Sequence, residues 1–134
     1  MKAGIVAADE RESGLRELLN FGHTLGHAYE AATRYGVTHG EAVSVGMVFA
    51  ASLAEVLDLA PASLRERLEA LLRSAGLPVR AKLPARTWAF LAQDKKARAG
   101  AVRWILPRTI GRFSEVVDVA PRALREAAAV VEGR

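Results

Sequence analysis

All three histidines of this chain fall between residues 23 and 39. His23 and His27 each follow a glycine in "LLNFGHTLGHAYE", and His39 precedes one in "THGEAVSVGM". Imidazoles at i and i+4 project from one helix face, so a helix can offer two nitrogens to one metal ion or one substrate. His39 lies at the mouth of the next expected helix, and an antiparallel return carries it back towards the first. A catalytic zinc site keeps three protein ligands and an open position for water or substrate. With no cysteine in the chain, the ligands must be imidazoles and carboxylates. Two pairings satisfy the spacing. His23 can act with His27 along one helix, or with His39 across the turn, which leaves His27 for proton transfer or for holding an anion. A lone histidine is more often a satisfied structural residue, whereas three gathered beside glycines read as a site.

The elements that must position these residues follow from apolar spacing. From Leu15 to Tyr35 the apolar residues keep a helical period, with Gly36 placed to stop it. Gly22 and Gly26 fall inside that segment, where each costs about 1 kcal/mol relative to alanine. They share a face with the histidines, where bare backbone admits another helix or a ligand. A second helix, residues 40–57, is apolar nearly all round and therefore buried on most sides, with Gly46 marking close packing. Residues 63–74, "SLRERLEALLRS", read as an amphipathic helix capped by Ser63, with Glu66 and Glu69 among arginines on a solvated face. A short helix is expected over residues 84–92, then a polar loop, "DKKARAG". "AVRWILP" and "FSEVVDV" follow as two strands joined through "RTIG", and Pro121 opens a last helix to about residue 131. The expected class is mainly α with a small β-hairpin near the C-terminus.

Composition narrows the function. At 134 residues, 51% hydrophobic and 25% charged, the chain reads as a single domain, 1–134, with an ordinary core. No apolar run is long enough to span a bilayer, and "MKAGIVAADERESG" does not resemble a targeting peptide. A cytoplasmic location with no membrane partner is the expectation. The net charge of +4 comes largely from arginines scattered through amphipathic segments, not from a basic stripe with interleaved aromatics, so no nucleic-acid partner is expected. In a chain with fifteen Arg and four Lys, the lysines mark places suited to a compact, movable ammonium.

"GLRELLNFGHTLGHAYE", "HGEAVSVGM" and "DKKARAGAVRWILPRTIG" together resemble, in order and spacing, successive motifs of 3-dehydroquinate synthase. The resemblance runs from Lys2 almost to the C-terminus. It implies an enzyme of the shikimate pathway that binds NAD+ and a divalent metal, Zn2+ or Co2+. The implied reaction converts 3-deoxy-arabino-heptulosonate 7-phosphate to 3-dehydroquinate and phosphate. Its steps are transient oxidation, phosphate elimination, re-reduction, ring opening and aldol closure. Carried over by motif, His23 and His39 become metal ligands, and His27 a catalytic group near the phosphate. Lys2 and Glu12 fall on catalytic positions, Arg16 and Asn20 on substrate-contacting ones, and Lys95 or Lys96 on a substrate-binding lysine. The basic excess suits a doubly anionic sugar phosphate.

The same resemblance implies an N-terminal NAD-binding domain that these residues do not contain, and a third metal ligand, a glutamate, upstream of Met1. Glu30 and Glu41 stand near the histidines, with no geometric reason for either to replace it. The chain is thus expected to be a partial C-terminal domain, inactive alone, from a longer homodimeric enzyme. Alternative readings are a sibling sugar-phosphate cyclase, a metal-dependent polyol dehydrogenase domain, or a non-catalytic helical module used in dimerisation. The last would expose an apolar patch on the helix of residues 40–57, for want of a partner domain.

Overall fold

The structure is a computed structural model, and it describes residues 22–97, 100, 102–109, 112–116 and 119–133. Their order is α1 (His23–Ala32), α2 (His39–Val56), α3 (Ala62–Ser74), α4 (Arg86–Ala97), β1 (Trp104–Thr109), β2 (Arg112–Val116) and α5 (Pro121–Val131). The mainly helical class with a late hairpin is what these residues adopt.

α2 is the axis of the fold. Because it is apolar on nearly every side, it is stable only when surrounded, and α1, α3, α5 and β1 all pack against it. Val45, Val48, Phe49 and Leu53 are fully buried, and Phe49 stacks against Trp88 of α4 and Trp104 of β1 at ring separations of 6.1 and 5.4 Å. The exposed apolar patch that the non-catalytic reading would leave on this helix is not found among the described residues. Among the described residues only Tyr35 and Leu71 are large hydrophobics left exposed. The hairpin is antiparallel, pairing Trp104 with Val116 and Leu106 with Ser114, and its register shifts between Pro107 and Thr109. The shift falls beside the one strand residue that has no N–H to donate.

α1 and α2 meet along glycines. A Cβ on Gly46 would stand 1.9 Å from the Gly22 carbonyl oxygen, and one on Gly26 would stand 3.2 Å from that of Ala42. The bare face read in the sequence thus admits a helix. Gly22 itself has φ +83°, outside the helical range, so α1 begins only at His23, and the part of the expected helix before Gly22 lies outside the described residues. Gly36 does not stop α1. The chain turns at Arg34 and Tyr35, with φ of 55° and 62°, and the Tyr35 N–H donates back to the Glu30 carbonyl at 3.0 Å.

Three further expectations need correcting. α3 begins at Ala62 with Pro61 in the capping position and no side-chain cap, because Ser63 falls inside the first turn and not at the residue before it. Glu69 is not on the solvated face. It is 3% exposed and faces Arg65, Arg73 and Arg80. α4 also runs through "DKK" to Ala97. Lys95 and Lys96 are good helix formers, and their charges are favoured in a last turn, where carbonyl dipoles point outward.

α2 starts with a reciprocal cap. The Thr38 hydroxyl accepts from the Glu41 N–H at 3.1 Å, while the Glu41 carboxylate accepts from the Thr38 N–H at 2.8 Å. The Thr38 backbone hydrogen bond, followed by that of its side chain, holds the Glu41 carboxyl below the usual carboxylate range. Thr38→Ala is expected to cost about 1 kcal/mol, measured by urea unfolding. A depressed folded pKa gives stability that is present above the ordinary carboxylate pKa. The Glu41 contribution is therefore expected to disappear as pH falls through its lowered value.

Candidate metal centre

The glycine contact and the Thr38 cap decide where the histidines lie. His23 is the first residue of α1 after Gly22, His27 follows one turn later, and His39 is the first residue of α2 after Thr38. With α1 and α2 at glycine contact, the start of α2 returns beside α1. The imidazoles form a triangle, with ring separations of 5.1 Å for His23–His27, 5.4 Å for His23–His39 and 5.9 Å for His27–His39. One nitrogen from each lies within 4.8 Å of the others. Tetrahedral nitrogens at about 2.0–2.1 Å from zinc lie roughly 3.4 Å apart, a distance reachable by rotating the exposed rings of His27 and His39. An all-imidazole donor set suits zinc or cobalt better than magnesium or calcium. The residues present fit a divalent metal.

His39 is not free to rotate equally in both directions. Its Nδ1 lies 3.1 Å from Oε1 of Glu30, one turn beyond His27 on α1. Beside His23 and His27 a cavity of about 280 Å3 opens, bordered also by Thr24, Phe90, Asp94 and Arg103. Thr24 ties α1 to the approach of β1 through a 2.9 Å hydrogen bond to the Arg103 carbonyl. Arg86 at the start of α4 donates to the Ala32 carbonyl at the end of α1 at 2.7 Å. Both ends of α1 are thus anchored to elements that form the cavity wall. Arg103 also pairs with Glu115 of β2, whose hydrogen bond holds the guanidinium firmly protonated and lowers the Glu115 carboxyl.

Lys2, Glu12, Arg16 and Asn20 lie outside the described residues. Lys95 and Lys96 are exposed in the last turn of α4, and neither borders the histidine cavity. Lys95 instead edges a second, more apolar cavity with Trp88 and Trp104. Asp94 and Arg103 border the histidine cavity, and neither is among the residues that the sequence marks for the site. Asp94, the first residue of "DKK", offered a signal through its motif. Arg103, inside a strand-like run, offered none.

Comparison with known proteins decides the family. The profile described as 3-dehydroquinate synthase C-terminal matches residues 1–97. The chain belongs to this family. It is 51% identical to the 3-dehydroquinate synthase of Acidithiobacillus ferrooxidans over 93% of its own length and 35% of the relative's. It is 47% identical to that of Gloeobacter violaceus, over 98% of this chain and 38% of the relative. The chain therefore spans little more than a third of these synthases. Its fold is shared with 2-epi-5-epi-valiolone synthase from Streptomyces hygroscopicus, solved with NAD+ and Zn2+, at TM-score 0.77 and 30% identity, covering 87% of this chain and 33% of that one. It is also similar to 2-deoxy-scyllo-inosose synthase complexed with carbaglucose-6-phosphate, NAD+ and Co2+, at TM-score 0.66 and 28% identity, covering 84% and 34%. Among the described residues no helix is long and apolar enough to cross a membrane.

Proposed function

We propose that this member of the 3-dehydroquinate synthase family is the metal- and substrate-binding domain of a synthase that converts 3-deoxy-arabino-heptulosonate 7-phosphate to 3-dehydroquinate and phosphate. The observation that carries the reading is the triangle of His23, His27 and His39 beside a cavity. Relatives named 3-dehydroquinate synthase at 47% and 51% identity favour this substrate over those of the two cyclases at 28% and 30%. In this reading residues 1–134 are a partial C-terminal domain, and NAD+ is held mainly by a separate N-terminal domain. Cytoplasmic location and homodimeric assembly of the longer enzyme belong to the same reading.

His23 and His39 would hold the metal, Zn2+ or Co2+. When bound, such an ion supplies Lewis-acid polarisation of a substrate oxygen. His27, exposed at the cavity, holds or moves a proton at the phosphate oxygen that leaves. Arg103, at the cavity edge and paired with Glu115, offers positive charge to the anionic substrate. Lys2, Glu12, Arg16, Asn20 and one of Lys95 and Lys96 take the catalytic and substrate-binding roles that the motif resemblance assigns them.

Titration of the chain with Co2+, followed by its visible absorption, tests the ligand assignment. His23→Ala and His39→Ala are each expected to weaken binding by more than the roughly 10- to 100-fold typical of losing an orienting partner alone. His27→Ala should do less. Affinity that survives His23→Ala would locate the metal elsewhere. The 134 residues supplied with NAD+, Zn2+ and the sugar phosphate are expected to release no phosphate, and turnover by them alone would overturn the division between two domains.

A further inference from the structure

We propose that Glu30 is a positioning residue for the metal site, fixing the tautomer and direction of the His39 imidazole. The inference rests on the metal reading above. His39 stands in the first turn of α2 with its side chain 56% exposed, whereas Glu30 is 16% exposed on α1. An exposed imidazole on a helix start has several rotamers, and selecting one before a ligand arrives requires a second contact. Glu30 supplies it at 3.1 Å from Nδ1.

The chemistry of that contact dictates the proton. An ionised carboxylate only accepts hydrogen bonds, so the approach is attractive only when Nδ1 carries hydrogen. The neutral ring then keeps its lone pair on Nε2, the nitrogen left to meet an ion among the three imidazoles. Glu41, the other acidic residue close in sequence, is engaged by the Thr38 cap and is not available for this role. The carboxylate that sequence spacing could not make a ligand instead orients one.

Two readouts test the proposal. Long-range 1H–15N spectra of the metal-free chain are expected to show the His39 proton on Nδ1, and in Glu30→Ala a return to the mixture of tautomers found in exposed histidines. Co2+ titration is expected to show Glu30→Ala binding about 10- to 100-fold more weakly than the parent chain. Glu30→Gln, which keeps an accepting oxygen, should recover most of that loss. A proton on Nε2 in the parent chain overturns the proposal whatever the metal does. Equal Co2+ affinity in Glu30→Ala and the parent overturns it while leaving the metal site standing. Absence from the parent chain of even the weak Co2+ binding expected of a site whose third family ligand lies outside these residues defeats the metal reading and this proposal together. If Glu30→Ala lowers the melting temperature and loses affinity, but Glu30→Gln restores only the melting temperature, the contact is a structural staple and the proposal fails.

Discussion

Gly46→Ala is expected to separate α1 from α2 and to abolish Co2+ binding, although residue 46 is not a histidine and contacts no ligand. The added methyl would lie 1.9 Å from the Gly22 carbonyl oxygen and 2.9 Å from the Gly26 nitrogen. Both are backbone atoms, so no side chain can swing aside to make room. Overpacking a core costs about 1–3 kcal/mol when side chains can adjust. Here a helix must move, and a loss of about 3 kcal/mol or more is expected in urea unfolding. The displacement has a direct consequence for the site. His23 and His27 ride on α1 and His39 on α2, so any widening of the glycine contact pulls the imidazole triangle open. Gly40→Ala is the control. It lies on α2 beside His39, but a Cβ there meets nothing within 4 Å. Alanine should be neutral, or stabilising by up to about 1 kcal/mol through the unfolded state. If Gly46→Ala unfolds at the same urea concentration as Gly40→Ala, the helix contact is not what holds the site together.

This dependence explains why so much of the site was legible in one dimension. The histidine spacing and the glycines beside it are both local, and a helix converts local spacing directly into a shared face. The long apolar run of α2 likewise required burial before any partner was known. What escaped was set by chain returning from a distance. Asp94 and Arg103 reach the histidine cavity only because α4 and β1 pack against the first two helices, and no periodicity in "DKKARAGAVRW" encodes that approach. Glu30 lies one turn from His27, and its spacing alone gives no reason for it to be a ligand. Its actual neighbour, His39 Nδ1, depends on the angle at which α2 returns. The end of α4 is hidden in the sequence for another reason: a run of lysines is equally compatible with a polar loop and with a favourable last helical turn. Only packing of Leu91 and Trp88 beneath it decides between them.

The buried carboxylate of Glu69 makes the opposite case, a residue of large effect with no part in the site. Its side chain is 4% exposed, against 16% for Arg65, 38% for Arg80 and 60% for Arg73. Burial alone would lower the pKa of Arg65, but hydrogen bonds to Glu55 and Glu69 outweigh it and raise the value. Removing one partner of a buried pair costs about 3–5 kcal/mol, because the other is left charged and poorly solvated. Arg65 keeps Glu55 at 2.9 Å, and Arg73 and Arg80 can turn to water. Glu69→Ala is therefore expected at the low end, about 3 kcal/mol, measured by urea unfolding. Arg73→Ala removes one long contact, 3.4 Å, made by a side chain that is itself 60% exposed, and should cost less than about 1 kcal/mol. Neither residue touches a histidine or Glu30, so Co2+ affinity in the folded chain should be unchanged in both. Equal losses for the two variants would mean that Glu69 is stabilised by water and not by its arginines. A fall in Co2+ affinity with Glu69→Ala alone would mean that α3 holds the site through α2, extending to a second helix the coupling of stability and metal binding that the α1–α2 glycine contact predicts.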